Sequence, residues 1–245
     1  MPVLVAIPVF NEIKYLEHVL DKVKRFHPEI LTIDDGSSDG TAQLLAQRSD
    51  IQLIQHRENR GYGQSIIDAF NYADAHGYDW VITMDCDEQH EPERIPEFLR
   101  QINKDRFDII SGSRYLQPDQ RDDLPPGDRQ TINATVTGMI NDLLSLNLTD
   151  AFCGFKAHRV SAMMPLKLDE PGYAFPMQLW PRVAAMNLRI EEIPVRLIYN
   201  DPNRHFGGPL DNAAVRLAHY LKVFNRELAW QPATAGEVSP CCCPQ

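Results

Sequence analysis

Trp80-Val81-Ile82-Thr83-Met84-Asp85-Cys86-Asp87-Glu88-Gln89-His90 is the stretch on which the fold turns. Its first five residues are apolar or β-branched, the composition of a short buried strand. The run then breaks into Asp85 and Asp87, two carboxylates at i, i+2 just past the carboxyl end of that strand. Carboxylates so placed can converge on one hard cation. Mg²⁺ or Mn²⁺ takes oxygen ligands and keeps positions open for substrate phosphates. Two acids in a solvated loop carry no such meaning alone; the strand before them and the rest of the chain supply it.

Outward from this stretch, strands and helices alternate. Val3–Val9 reads as a buried strand, and Ile13–Arg25 carries Leu16, Val19, Leu20 and Val23 at helical spacing. Glu29–Asp34 and Ile51–Gln55 read as further strands, with a helix over Thr41–Arg48 between them that Ser38 or Asp39 would cap. A helix over Gly61–Ala75 leads into Trp80–Met84, and a helix over Pro92–Asn103 leads into a strand at Phe107–Ser111. This alternation predicts an α/β fold with a mostly parallel central sheet flanked by helices. The loops at the carboxyl ends of the strands then share one rim. Phe10–Glu12, Asp35–Asp39 and Asp85–Gln89 all follow strands, so all three belong on that rim.

Beyond Ser113 the character changes. Leu116–Asp128 is a polar, Pro-rich loop; Gln130–Leu148 is amphipathic, with Ile132, Val136, Met139, Ile140, Leu143 and Leu144 on one side. Phe175–Met186 reads as a helix, Leu188–Leu197 as a strand around Pro194, and 200–212 as a Gly/Pro-rich loop containing Arg204. Arg216–Trp230 places Leu217, Tyr220, Leu221, Phe224 and Leu228 on one face; Glu227 among its charges and the acidity of the whole chain favour packing against the core or a partner over lying on a bilayer. One domain over 1–230 and a tail over 231–245 are expected.

The 245 residues are 43% hydrophobic and 24% charged, with a formal net charge of −10. That balance excludes a general nucleic-acid binder, which needs a basic face. No basic region precedes the first strand, and no apolar run approaches the roughly 20 residues of a membrane span. A cytoplasmic protein is expected, with peripheral membrane association as the alternative. Cys86 and Cys153 are isolated and Cys241, Cys242 and Cys243 are adjacent, so no disulfide framework is expected.

Ile7-Pro8-Val9-Phe10-Asn11-Glu12 lacks the glycines of a dinucleotide fingerprint, and the chain has no P-loop. Phe10 offers an apolar edge to a base or ribose, and Glu12 can accept from ribose hydroxyls. A carboxylate in Asp34-Asp35-Gly36-Ser37 can accept from the ring N–H of uracil or guanine; capping of the next helix is its other reading. A nucleotidyltransferase would carry a Gly-rich basic loop after the first strand, which Val9-Phe10-Asn11-Glu12 is not.

These motifs, with Ile33–Thr41, Asn59-Arg60-Gly61-Tyr62-Gly63 and Asp85–His90, resemble in order those of family-2 glycosyltransferases of the GT-A fold. Asp85–Pro92, Ser113-Arg114-Tyr115, and Asp150 with Cys153-Gly154-Phe155-Lys156 are similar to dolichol-phosphate mannose synthases and related polyprenyl-phosphate glycosyltransferases. The resemblance implies that Asp85, Asp87 and Gln89 hold a divalent metal on the donor diphosphate. It implies that Pro8, Phe10, Glu12 and Asp35 bind the nucleoside of a GDP- or UDP-sugar. It implies that Arg114, Arg129 and Arg204 gather the phosphates, for which the planar guanidinium suits. The expected activity is inverting transfer of a hexose, most readily to a polyprenyl or dolichyl phosphate. Such an acceptor, with a second pKa near ~6, needs no general base. A sugar-hydroxyl acceptor would need one, and Asp150 is the candidate. A non-catalytic nucleotide-sugar binder is the remaining alternative. The chain departs from the group in having Cys153 for serine, Lys156 for arginine, and no lysine after Arg204.

Overall fold

The computed structural model describes residues 1–117, 127–196, 198 and 208–232. Its frame is a seven-stranded sheet in the order β3-β2-β1-β4-β6-β5-β7. The strands are β1 (Val3–Val9), β2 (Ile30–Asp34), β3 (Gln52–Gln55), β4 (Trp80–Thr83), β5 (Ile109–Ser113), β6 (Lys156–Arg159) and β7 (Ile190–Pro194). β1 pairs in parallel with both β2 and β4, β2 with β3, and β5 with β7. The mostly parallel sheet expected from the alternation is therefore present.

Side-chain alternation splits the core in two. From β1, Val3, Val5, Ile7 and Val9 join Leu16, Val19, Leu20 and Val23 of α1 (Leu16–Lys24) and Ile95, Phe98 and Ile102 of α4 (Ile95–Ile102) on one face. Leu4 and Ala6 turn the other way. They meet α3 (Tyr62–Ala75), α5 (Gly127–Leu144), α6 (Val160–Met163), α7 (Phe175–Ala185) and α8 (Ala213–Glu227). With both faces covered, β2 and β4 are buried along their whole length, which is why they read as near-continuous apolar runs. β3, at the sheet edge, is only partly buried.

β6 was not legible. Lys-Ala-His-Arg carries no strand signature, yet it runs antiparallel between β4 and β5. Its polar side chains have partners that only the fold supplies. The Lys156 ammonium lies 5.6 Å from the Trp180 ring centroid, and the His158 ring packs edge-on to Phe70. Burial, helped by the Lys156 charge, pushes His158 down to about 3, so this ring is neutral core.

Several boundaries and faces also differ. The strand expected at Phe107–Ser111 is β5, Ile109–Ser113, and that expected at Leu188–Leu197 is β7, Ile190–Pro194. The helix after β2 is α2 (Thr41–Ala46), and its N-cap is Gly40 rather than Ser38 or Asp39. Asp39 still accepts from the Thr41 amide at 3.0 Å, while its other oxygen accepts from Ile13. α5 buries Asn133 and Thr137 beside Ile132, Val136 and Ile140, and leaves Leu143 exposed. α8 does pack on the core, through Tyr220, Val223 and Phe224, but the buried face also carries Arg216 and Glu227 while Leu228 is exposed. Arg182 and Gln178 of α7 donate to Glu227 at 2.7 and 3.0 Å, which satisfies the buried carboxylate. Arg204 and Cys241–Cys243 lie outside the described residues, as does the expected tail beyond Pro232. Among the described residues no helix is long and apolar enough to cross a membrane.

Candidate active site

The chain lays β2 and β3 on one side of β1 and then returns to place β4 on the other. This reversal opens a crevice at the carboxyl ends of the strands, where α/β sheets bind ligands. A cleft of about 860 Å³ occupies it, a volume suited to a small ligand. Pro8, Phe10, Glu12, Asp35, Asp85, Asp87, Gln89, Arg114 and Arg129 all line this cleft. The three strand-end loops thus meet as the rim geometry required, and Arg114, just past β5, and Arg129, on α5, line the same cleft.

The rim loops are stitched to one another. Asn11, with φ of 57°, donates its amide to Ser37 Oγ at 2.9 Å, and its side-chain oxygen accepts from the Ser38 amide at 2.8 Å. The Glu12 amide donates to Thr41 Oγ1 at 3.1 Å. Phe10, beside this seam, is left 45% exposed, as an apolar surface awaiting a planar ligand would be.

Asp35 is almost fully buried and already engaged. Its Oδ1 accepts from His56 Nδ1 and the Arg60 amide, both at 2.7 Å, and its Oδ2 accepts from the Gly61 amide at 2.9 Å. It therefore braces the 59–61 turn as well as lining the cleft.

That turn presses on a loop ahead of α7. A Cβ on Gly61, whose φ is +102°, would lie 2.3 Å from the Pro171 carbonyl oxygen, and one on Gly63 would lie 2.2 Å from that of Glu170. Both neighbours are backbone and cannot swing aside. Gly63→Ala is expected to lower stability by about 1–3 kcal/mol, the usual range for overpacking. Chemical denaturation followed by circular dichroism measures this; an unchanged midpoint would contradict the close approach. Tyr173, at the end of the same loop, stacks on Tyr62 with ring centroids 5.9 Å apart.

The acidic loop is organised by its neighbours. The Asp85 amide donates to His90 Nδ1 at 3.0 Å, and Asp87 Oδ1 accepts from the Gln89 amide at 3.0 Å across Glu88, whose φ is 59°. Burial first, then the Asp85 carboxylate to which its hydroxyl donates, hold the Tyr62 phenol well above its usual value. Gly154 backs Asp85 so closely that a Cβ there would sit 2.7 Å from Oδ2. Among the described residues no three His, Cys, Asp or Glu side chains gather into a closed metal site. Asp85 and Asp87 both line the open cleft, and carboxylate oxygens are the donor type that suits Mg²⁺ or Mn²⁺. Asp85 and Asp87 would hold such an ion, with Gln89 beside them.

Asp150 needs a correction to its expected role. Asp150 is 0% exposed. Arg114 Nε donates to its Oδ2 at 2.7 Å and Arg114 Nη2 to its Oδ1 at 3.0 Å, a bidentate pair. Asn133 Nδ2 and the Phe152 amide also donate to Oδ1, at 3.0 and 3.1 Å. Burial alone would raise this carboxyl; the Arg114 charge and these hydrogen bonds outweigh it and bring it down to about 2. A buried carboxylate with its lone pairs taken cannot collect a proton from a hydroxyl in the cleft. Asp150 is the anchor of Arg114 rather than the base first suggested by its motif. Burial works against the Arg114 charge, and Asp150 reverses that and raises it. Arg129 lines the cleft and is half-buried.

The far wall of the cleft was not foreseen. Asn133, Phe152, Tyr173, Leu210, Arg216, His219 and Tyr220 line it from α5, the 150–155 turn, the α7 approach, the Gly208–Asp211 turn and α8. Arg216 is 3% exposed and ties Asp128 of α5 at 2.8 Å and the Leu210 carbonyl at 2.7 Å. Charged residues among the apolar positions of this helical face, Arg216 and Glu227, were the available signal.

Comparison with known proteins gives the family and the fold. Over 231 residues the chain is 29% identical to an undecaprenyl-phosphate mannosyltransferase of Micrococcus luteus, covering 90% of this chain and 94% of that one. It is 28% identical to a polyprenol monophosphomannose synthase of Mycolicibacterium smegmatis, covering 78% and 76%. In structure it resembles glucosyl-3-phosphoglycerate synthase of Mycobacterium tuberculosis in complex with Mn²⁺, UDP and glucosyl-3-phosphoglycerate. The TM-score there is 0.70 at 15% identity, covering 95% of this chain and 81% of that one. That likeness shows the GT-A fold. The sequence pattern of glycosyl transferase family 2 matches residues 4–166, and the chain, a glycosyltransferase, belongs to that family.

Proposed function

We propose that this protein transfers a hexose, with inversion, from a UDP- or GDP-sugar to a polyprenyl phosphate, assisted by Mg²⁺ or Mn²⁺. The observation that carries the reading is one cleft lined by a carboxylate suited to a base N–H, Asp35, a pair of metal-type carboxylates, Asp85 and Asp87, and the anchored guanidinium of Arg114. The metal, when bound, neutralises charge on the departing nucleoside diphosphate. Phe10 and Glu12 bind and orient the nucleoside. Arg114, fixed by Asp150, offers its remaining N–H groups to phosphate oxygens without having to be ordered first.

The state of Asp150 supports this acceptor class. A hydroxyl acceptor needs a base, and the carboxylate that its motif offers is buried and held at about 2. A phosphate monoester is mostly dianionic at neutral pH, with a second pKa near ~6, and attacks without one. One relative is named for undecaprenyl phosphate and the other for polyprenol monophosphomannose, which supports the same choice. A lipid acceptor implies association with a membrane surface, and among the described residues no helix is long and apolar enough to cross one.

Incubation with Mn²⁺ and radiolabelled GDP-mannose or UDP-hexoses, with and without a short-chain polyprenyl phosphate, tests this. Label is expected in the organic phase only when the lipid phosphate is present. Equal transfer to water-soluble glycans without it would overturn the acceptor assignment. On the donor side, calorimetry with Mn²⁺ is expected to show UDP or GDP binding at least about tenfold tighter than ADP. Adenine lacks the ring N–H that a carboxylate accepts, and one charge-assisted hydrogen bond is worth roughly that factor. Equal affinity for ADP would reject Asp35 as a base reader.

A further inference from the structure

Behind Asp35 lies a hydrogen-bonded relay that the proposed chemistry does not use. His56, at the end of β3, is 7% exposed. Its Nδ1 faces Asp35 Oδ1 at 2.7 Å and its Nε2 faces Asp68 Oδ2 at 2.9 Å. Carboxylates only accept, and a neutral imidazole donates from one nitrogen, so only the doubly protonated ring satisfies both contacts. The other groups around it complete the arrangement. Gln64 donates to Asp68 Oδ1 at 2.9 Å, Arg60 Nη1 lies 3.6 Å from Asp68 Oδ2, and the His56 amide donates to the Asp34 carbonyl at 2.9 Å. With the ring doubly protonated, two carboxylates, one imidazolium and one guanidinium would leave the cluster neutral.

The consequence lies in what remains of Asp35. A carboxylate has about four acceptor sites. Among the described residues, His56 and Arg60 occupy both sites of Oδ1 and Gly61 occupies one of Oδ2. One acceptor site on Oδ2 is left at the wall of the cleft.

We propose that His56 is a positioning residue for donor recognition, a doubly donating ring that joins Asp68 on α3 to Asp35 and holds Asp35 with a single acceptor site for a base N–H. This rests on Asp35 reading the base. His56 then acts on which nucleotide binds and how tightly, and not on the transfer step.

Nitrogen-15 NMR of histidine-labelled protein at neutral pH reads the ring directly and needs no turnover. Both His56 nitrogens are expected in the protonated range; a neutral tautomer would overturn the inference. Calorimetry with UDP, GDP and ADP in Mn²⁺ reads the consequence. His56→Gln is expected to weaken UDP or GDP binding about tenfold, the scale of a lost charge-assisted hydrogen bond. ADP binding should stay unchanged, and kcat at saturating donor should stay within about threefold. A purely structural role would weaken all three nucleotides alike and lower kcat. Asp68→Asn, at a partly exposed position less able to unfold the protein, is expected to act in the same direction by about threefold. Asp35→Asn separates the two levels. If it weakens UDP or GDP binding while His56→Gln and Asp68→Asn bind as wild type, the relay is refuted and the base-reading role of Asp35 stands. If Asp35→Asn itself binds as wild type, both are refuted.

Discussion

Asp85→Ala and Asp87→Ala are each expected to lower hexosyl transfer by at least about a hundredfold, the scale of losing a principal electrostatic stabiliser. Either change would remove one of the two carboxylates proposed to hold a metal on the donor diphosphate. Asp87 also holds the turn after β4, because its Oδ1 accepts from the Gln89 amide at 3.0 Å. Alanine would remove charge and turn together. Asp87→Asn keeps an oxygen for that amide and removes only the charge, so an equal loss assigns the effect to the metal. Initial rates across a Mn²⁺ titration, on protein whose circular dichroism matches wild type, provide the measurement. Near-normal turnover by either alanine variant, or full activity in EDTA, would remove the metal from the reaction.

Asp150→Ala is expected to be the most destabilising single change in the cleft, by about 3–5 kcal/mol, because it leaves the Arg114 guanidinium without its partner. Asp150→Asn should cost less stability, and it should still loosen Arg114 and reduce activity. Loss of activity in Asp150→Asn therefore does not identify a base. The pH dependence makes the distinction. The folded-state value, about 2, lies below the ordinary 3.8, so this group stabilises the fold above its unfolded value and ceases to do so as pH falls from about 4 to about 2. The amount at stake is on the order of 2 kcal/mol. Urea denaturation at stepwise lower pH should show a wild-type loss in that window that Asp150→Asn lacks. Parallel curves for the two proteins would mean that Asp150 is not charged and paired as described.

The cleft's near wall was readable because each of its parts is local. Pro8–Glu12, Asp35 and Asp85–Gln89 each follow an apolar run directly, and strand order alone brings their ends together. The role of Asp150 was not readable, because its partners Arg114 and Asn133 stand 36 and 17 residues away and nothing between them fixes the spacing. The far wall failed for a related reason. Apolar periodicity in α8 singled out Leu217, Leu221 and Leu228, whereas the buried face is completed by Arg216 and Glu227, each neutralised by another helix. β6 shows the limit most plainly. Lys156 and His158 are polar by letter and core by position, and no period-2 pattern reveals a strand whose two neighbours cover both of its edges.

The placement of β6 also sets an order on biosynthesis. Among the described residues β5 pairs only with β6 and β7, so a nascent chain that has just emerged through Ser113 has nothing in the sheet for β5 to join. The outer edge of β4 waits for Lys156–Arg159 as well. At ~5–20 residues per second the ribosome takes roughly 2–9 s to supply them. During that interval Trp80–Thr83 presents unpaired amides and carbonyls to other chains. The antiparallel insertion that completes the sheet therefore gives its vectorial assembly a window of aggregation risk, and synonymous codons that slow translation across 114–155 would widen it.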